Sequence, residues 1–217
     1  MTTAVIGVGN IGGALARLWT MRGHTVWAGV RDTGSERARK LKEATGARIT
    51  TVADAVSKAE IVALCVPWPA AQESLREAGG CSGKIIIDAT NPVGSDLQSL
   101  EVGTTTSGGE MIANWAPRAR VVKAFNTIGA YLFGNAQFAG LLADGYFCGD
   151  DVDAKSAVRP LIEAAGFEPV DVGPLRSARM LEPLALLWID LKLKQGFAGD
   201  FGFKLLRRSA EGESLTP

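Results

Sequence analysis

A glycine-rich loop near the start of the chain is the first segment that could do chemistry. Residues 7–12 read Gly-Val-Gly-Asn-Ile-Gly and follow the short apolar run 4–6. Apolar residues then recur at helical spacing from Ile11 to Met21, and the pattern stops at Gly23. A strand, a glycine loop and a helix in this order predict a binding site for a dinucleotide pyrophosphate.

Each glycine of the loop has a separate predicted task. Gly7 permits the tight turn, Gly9 lets the backbone approach the phosphates, and Gly12 lets the helix pack closely on the strand. The free amides and the positive end of the helix dipole would then face the anion. We also expect Asn10 to cap the helix.

The end of the predicted second strand bears on the choice of cofactor. An acidic residue there would bind the ribose of NAD, whereas an arginine would pair with the 2′-phosphate of NADP. Both kinds of residue follow this strand, since Asp32 comes directly after Arg31, so position alone does not decide between NAD and NADP. Arg31 comes first after the strand, however, and Gly29 leaves room for a phosphate, so the sequence favours NADP, with Arg37 as a second basic group.

The residues that follow the other strands should form the wall around the nicotinamide. The carboxyl ends of parallel strands share one edge of a sheet, and ligands bind there. The residues predicted for this wall are Val66, Pro67, Trp68, Asn91, Pro92, Val93, Asn126 and Thr127.

Few side chains could act as a general base for oxidising an alcohol. The one histidine, His24, begins the second strand and so lies at the wrong edge of the sheet. Lys123 lies in a strand near the site and leaves a lysine base open. Hydride transfer to a flavin or deazaflavin ring needs chiefly the stacking of two rings, since the acceptor can take its proton from solvent.

Strand and helix patterns alternate along most of the chain. Apolar runs at 61–66, 85–87, 121–125, 146–148 and 170–172 predict strands, and residues 35–45 predict a helix. The sequence therefore predicts a doubly wound, mostly parallel α/β sheet of the Rossmann type. We expect an NADP-binding domain at 1–172, a helical cap or dimerisation segment at 173–208, and a disordered polar tail at 209–217.

Composition excludes several classes of function. The chain has 23 basic and 23 acidic residues, so no charge excess favours nucleic acid or an acidic membrane surface. Cys65, Cys81 and Cys148 are too widely spaced for a zinc or redox motif, which predicts buried free thiols and no metal. No signal peptide or spanning segment is evident, and we expect a cytoplasmic protein.

The region after Pro174 reads as one helix with apolar residues on most sides. Such a helix must be covered by the same chain or by a partner, so a homodimer is predicted. The apolar residues are Met180, Leu181, Leu184, Leu187, Trp188 and Leu191.

Several segments together resemble the NADPH-dependent reductases of coenzyme F420. They include the glycine loop, the strand ends at 66–68 and 91–93, and the run 121–127. The most specific are Cys-Gly-Asp-Asp at 148–151 and Gly-Pro-Leu at 173–175, followed by Ser177, Arg179 and Glu182. The resemblance implies a Rossmann domain that holds NADP and a small C-terminal part that helps to cover a deazaflavin.

The resemblance also assigns roles to residues. It implies that Gly9, Asn10 and Ile11 contact the pyrophosphate and that Arg31 contacts the 2′-phosphate. Val66 and Pro67 would contact the nicotinamide ribose, and the two rings would lie beside Asn91, Pro92, Val93, Asn126, Thr127 and Ile128. Arg176, Ser177 and Arg179 would face the acceptor ring.

One departure from the family pattern leaves the acceptor open. Archaeal members carry a histidine where this chain has Asn126, at a position that contacts the rings. The membrane ferric reductases have a reductase domain of similar fold that passes hydride to a flavin. Two alternatives also stay open, namely an NADPH-dependent reductase of a small imine or carbonyl that uses Lys123, and an NADPH-sensing module without chemistry.

Overall fold

The computed structural model describes residues 1–197 and 199–207, so the predicted tail at 209–217 lies outside the described residues. Ten strands were found, and their bounds in chain order are β1 Thr2–Ile6, β2 Thr25–Gly29, β3 Arg48–Thr50, β4 Ile61–Leu64, β5 Ile85–Asp88, β6 Arg120–Ala124, β7 Gln137–Phe138, β8 Leu141–Leu142, β9 Asp144–Gly149 and β10 Glu168–Asp171.

Eight of these strands form one sheet in the order β10-β9-β6-β5-β4-β1-β2-β3. The strands from β3 to β6 are parallel, and β9 joins β6 in the antiparallel direction. The run β3-β2-β1-β4-β5-β6 is the strand order of a dinucleotide-binding sheet. The predicted mostly parallel Rossmann fold is therefore confirmed.

Helices cover both faces of the sheet. Their bounds are α1 Asn10–Met21, α2 Glu36–Thr45, α3 Val52–Ser57, α4 Ala71–Glu77, α5 Gly108–Trp115, α6 Val152–Ala164 and α7 Ala178–Leu193. One apolar cluster lies on each face of the sheet. Trp19 belongs to the first cluster, and its ring N–H donates to the Leu161 carbonyl at 2.9 Å. Trp68 lies in the second and stacks on Trp115 with ring centroids 5.3 Å apart.

Both faces of the central strands are buried, which explains their continuous apolar runs. Every residue of β4 and β5 is buried. The hairpin β7-β8 was not predicted, because two strands of two residues each carry no readable alternation.

The helix starts include a side-chain cap that matches its sequence spacing, and they correct the capping prediction made for α1. Ser107 accepts from the Glu110 amide at 3.1 Å at the start of α5, as its Ser-x-x-Glu spacing indicates. The prediction that Asn10 caps α1 is wrong. Gly9 occupies that position with extended backbone, and Asn10 is already the first helical residue.

The three cysteines are free thiols, as predicted. Cys81 and Cys148 are buried, and Cys65 is half-buried just after β4. Burial raises the pKa of Cys81 to about 11 and that of Cys148 to about 12. These two thiols therefore stay protonated near neutral pH, which makes them poor nucleophiles.

Two adjacent glycines of α1 allow a matched stability test. A Cβ at position 12 would lie 1.9 Å from the Gly7 carbonyl oxygen, whereas one at position 13 would meet nothing closer than 3.8 Å. We expect Gly12→Ala to lower the free energy of unfolding by about 3 kcal/mol, because the turn must move. Gly13→Ala should leave it unchanged or raise it by up to about 1 kcal/mol through helix propensity.

Urea titrations followed by circular dichroism measure both variants. Equal midpoints for the two alanine variants would contradict the assigned contact between the helix and the loop.

Candidate functional site

The glycine loop joins β1 to α1 at the carboxyl edge of the sheet. Gly7 has a φ of +87°, and a Cβ there would lie 2.6 Å from the Cys65 carbonyl oxygen, so the fold itself requires a glycine. Gly12 is required for the same kind of reason. Gly9 differs, since a Cβ there would approach only the Arg37 guanidinium, at 3.8 Å. The space beside Gly9 is therefore open to a ligand.

The N-terminus of α1 offers backbone amides without a competing side chain. No side chain caps it, and its first turn holds no acidic residue. In contrast, α2, α5 and α6 are capped by Ser35, Ser107 and Asp151, and each has an acidic residue in its first turn. Unpaired amides at the positive end of a helix fit a pyrophosphate.

A cavity of about 340 Å³ continues from the glycine loop along the sheet edge. It lies between the end of β2 and helix α4, and its lining is mostly apolar, as nucleotide sites usually are. Its lining includes Gly7, Val8, Arg31, Val66 and Pro67, which were predicted as cofactor contacts or border on them.

Gly29 also lines this cavity, but its small size has a different cause from the one predicted. A Cβ at Gly29 would lie 3.0 Å from the Val52 Cα and 3.3 Å from the Ala55 Cβ. The glycine therefore allows α3 to pack on β2. Room for a phosphate is not what this position provides.

The charged groups near the end of β2 favour a phosphate over a ribose hydroxyl. Arg31 is exposed, and within residues 1–197 and 199–207 it forms no ion pair. The Asp32 carboxylate instead accepts from the Gly34 amide at 2.9 Å, inside its own loop. Arg37 donates from Nε to the Val8 carbonyl at 3.2 Å, which places its guanidinium over the glycine loop.

Two asparagines meet at the carboxyl ends of β5 and β6. Asn91 donates from Nδ2 to the Asn126 carbonyl at 2.8 Å, and Asn126 donates from Nδ2 to Asn91 Oδ1 at 3.0 Å. The Asn126 amide also donates to the Leu181 carbonyl of α7 at 3.1 Å. The residues predicted for the ring site are thus brought together, with α7 held directly against them.

The backbone before Asn126 is strained. Phe125 has a φ of +67° while its ring is buried in the core. A bulky residue adopts this left-handed conformation at a cost of about 1–3 kcal/mol, and such residues cluster at functional sites.

The remaining residues predicted to lie beside the rings differ in exposure. Trp68, Pro92, Thr127 and Ile128 are buried, whereas Val66 and Val93 are half-buried and Pro67 is exposed.

Lys123 lies beneath this site in a completely buried ion cluster. Its Nζ donates to Asp88 Oδ2 at 2.9 Å and to the Thr90 carbonyl at 2.7 Å, and it lies 2.7 Å from Glu182 Oε1. The Glu182 carboxylate also accepts from the Gly108 and Gly109 amides at the start of α5. Lys123 therefore ties two strands and two helices together.

The cluster prevents Lys123 from serving as a general base in this arrangement. Burial alone lowers the pKa of Lys123, but the carboxylates of Asp88 and Glu182 outweigh burial and raise it above its ordinary value. The ammonium therefore stays charged and holds all three of its protons in bonds within the protein. His24 directly precedes β2, at the opposite edge of the sheet and beside the Met1 amino group, as its position in the sequence predicts.

The residues predicted to face an acceptor ring lie at the start of α7. Arg179 forms a two-pronged bond to the Glu110 carboxylate at 2.7 and 2.8 Å, and this bond lowers the pKa of Glu110. The Ser177 hydroxyl donates to the Val172 carbonyl at 2.8 Å, whereas Arg176 is exposed. Their contact with an acceptor stays a prediction.

The apolar surface of α7 is only partly covered. Leu181 and Ala185 are buried, whereas Met180 is 64% and Leu187 48% exposed. The homodimer stays a prediction.

In the part of the chain that the structure describes, no helix has the length and apolarity needed to cross a membrane.

Sequence reasoning missed the role of Glu182 and Asp88. In the sequence, Glu182 stood out only as part of the segment that carries the family resemblance, and Asp88 had no predicted role. A lone charge in a buried apolar segment needs an opposite charge nearby, and this rule could have paired both with Lys123.

Comparison with protein families gives one match. The model described as "NADP oxidoreductase coenzyme F420-dependent" matches residues 2–92. This segment comprises β1 to β5 and includes the glycine loop, Arg31 and Asn91.

Two curated relatives match over most of this chain. The F420-dependent NADP reductase of Methanothermobacter marburgensis is 30% identical over 213 residues, covering 89% of this chain and 93% of that enzyme. Metalloreductase STEAP3 of Rattus norvegicus is 32% identical over 192 residues, or 84% of this chain. The chain spans only 36% of the length of that metalloreductase.

A solved structure resembles most of this chain. A crystal structure of an Arthrobacter sp. FB24 protein, assigned as an F420-dependent NADP reductase, has a TM-score of 0.86 and 31% sequence identity. The match covers 95% of this chain and all of that one.

The buried cluster predicts a large difference between two lysine substitutions. Lys123→Met should lower the free energy of unfolding by about 3–5 kcal/mol, because it leaves two carboxylates buried without their cation. Lys40→Met is the control, since Lys40 pairs with Glu36 on the exposed surface of α2.

Denaturant midpoints of the two variants and the parent protein measure the effect. A loss in Lys123→Met no greater than that in Lys40→Met would show that the cluster contributes nothing to stability.

Proposed function

We propose that this chain, which belongs to the coenzyme F420-dependent NADP oxidoreductase family, transfers hydride between NADPH and a deazaflavin or flavin. Membership makes it an NADP-dependent oxidoreductase. The observation that carries the finer proposal is the pairing of Asn91 with Asn126 under α7, beside a glycine loop that leaves open space at Gly9.

The residues of the glycine loop would hold the pyrophosphate. Gly9 lies at the cap position of α1 and Asn10 and Ile11 are its first residues, and the first amides of this helix have no side-chain cap. Arg31 would pair with the 2′-phosphate, and Arg37 would add a second positive charge above the loop. Together these groups favour NADPH over NADH, because only NADPH carries the additional phosphate.

The strand ends would orient the reacting ring. Val66 and Pro67 would contact the nicotinamide ribose, while Asn91, Asn126 and Thr127 would position the ring itself. The reciprocal amide bonds fix both asparagines before any ligand arrives, and such preorganisation lowers the entropic cost of alignment. Arg176, Ser177 and Arg179 of the C-terminal segment would lie toward the acceptor.

The proposed reaction needs no general base from the protein. Bound NADPH would supply two electrons and one proton as a hydride, leaving NADP⁺, and the acceptor ring would take its second proton from solvent. The positions of Lys123 and His24 fit this chemistry, since Lys123 is fully paired and His24 lies at the other edge of the sheet. Reduction of a small imine or carbonyl with Lys123 as base finds no support in this geometry.

The preference for NADPH is tested at Arg31. We expect Arg31→Ala to weaken NADPH binding by about 1.5–3 kcal/mol, the range for a hydrogen bond to a charged group, and to leave NADH binding nearly unchanged. Arg39→Ala is the matched control, because Arg39 is also exposed but lies on α2 away from the cavity.

Isothermal titration with both nucleotides gives the four affinities. Equal losses for NADPH and NADH in Arg31→Ala would contradict the proposed phosphate contact.

The acceptor is tested by rapid mixing. NADPH-loaded protein is mixed with coenzyme F420 or with FMN, and the absorbance of the acceptor is followed. We expect bleaching of at least one acceptor with matching oxidation of NADPH. Bleaching of neither would reject the proposal and, with intact NADPH binding, would favour a sensing module.

A substitution in the C-terminal segment refines the same experiment. Arg176→Ala should slow reduction at limiting acceptor by about tenfold, the loss of one charge-assisted hydrogen bond, while NADPH affinity stays unchanged. Arg118→Ala provides the control, since Arg118 is exposed on the loop before β6. Identical rates in the two variants would remove Arg176 from the acceptor site.

A further inference from the structure

We propose that Glu77 recognises the adenine base of the nucleotide by accepting a hydrogen bond from its 6-amino group. This inference rests on the proposed NADPH site and adds base specificity to it. Neither the glycine motif nor Arg31 can supply that specificity, because they contact phosphates and not the base.

The shape of the cavity places a planar base between two apolar surfaces. Val30 and Val52 contribute one side, at the end of β2 and the start of α3. Pro67 and Ala70 contribute from the segment that leads into α4. An adenine ring between such surfaces exposes its polar edge only at the rim.

The polar groups from α4 lie on one face of the helix. Ser74 and Glu77 are three residues apart, so their side chains share a face, and both line the cavity. An adjoining cavity of about 390 Å³ is lined by Val30, Arg31, Val52 and Glu77 as well. Glu77 therefore lies where the two spaces join, at the same rim as Arg31.

The two charged residues of this cavity suit two different parts of the nucleotide. Arg31 carries the positive charge that a 2′-phosphate needs. Glu77 carries a carboxylate, which only accepts hydrogen bonds and so matches an amino group and not a phosphate. An exposed carboxylate near a phosphate site weakens phosphate binding unless it binds another part of the ligand.

The Glu77 carboxylate is not engaged in an ion pair within the described residues. Its neighbour Glu73 on the same helix pairs with Arg76 at 2.6 Å. Throughout the described ranges 1–197 and 199–207, Glu77 forms no ion pair within 4.0 Å. It is exposed at the last position of α4, so the fold does not require its charge.

The test compares two nucleotides that differ at one position of the base. Nicotinamide hypoxanthine dinucleotide phosphate, in its reduced form, carries a 6-oxo group where NADPH carries the 6-amino group. We expect the parent protein to bind NADPH about 10- to 100-fold more tightly, because the oxo group would face the carboxylate without a proton between them.

Glu77→Gln should bring this ratio close to one, since an amide can donate to the oxo group and accept from the amino group. Glu77→Ala should do the same by removing both interactions. Glu73→Gln is the control and should keep the parent ratio. The ratio cancels any general effect of charge on phosphate binding, because both nucleotides carry the same phosphates.

The outcomes separate this inference from the proposal beneath it. If the parent protein binds neither nucleotide, the proposed NADPH site fails. If it binds both equally, or if Glu77→Gln and Glu77→Ala keep the parent ratio, only the role of Glu77 is overturned. A ratio that falls in both Glu77 variants and persists in Glu73→Gln supports the recognition of adenine.

Discussion

The buried charges of Lys123, Asp88 and Glu182 are the interaction on which the carboxyl edge of the sheet depends. Removing an ion from water costs several kcal/mol, and the attraction within a pair offsets this only when every remaining polar group is bonded. Here all three ammonium protons have acceptors, and both carboxylates take further bonds from Thr90, Gly108 and Gly109. Two negative charges face the one positive charge of Lys123, and the positive end of α5 offsets the remaining negative charge in part.

The two halves of the candidate site are built in different ways. The nucleotide half is local, because a loop, one helix start and the adjacent strand ends supply its cavity. The ring half depends on contacts between distant segments: the cluster holds α7, and α7 in turn receives the Asn126 amide at the Leu181 carbonyl. The strained backbone of Phe125 persists because its ring is anchored in the core, against Trp19 and Phe133.

This difference explains what the sequence could predict. The glycine loop, the buried strands and the NADP preference follow from short motifs and periodicity, and the predicted fold was confirmed. The antiparallel direction of β9 depends on tertiary geometry that no local pattern encodes. A base role for Lys123 stayed open from the sequence because its partners lie on remote segments, and only their convergence shows that its charge is structural.

The carboxylate of Glu182 has a consequence for dividing the polypeptide. Residues 1–172 contain all eight strands of the main sheet, and a fragment ending there looks like a self-sufficient nucleotide-binding unit. Such a truncation would remove the acceptor of the Gly108 and Gly109 amides and one of the two carboxylates that pair with Lys123. The C-terminal helix thus completes the buried interior of the Rossmann domain, and a fragment that ends at residue 172 lacks one carboxylate of the ion cluster.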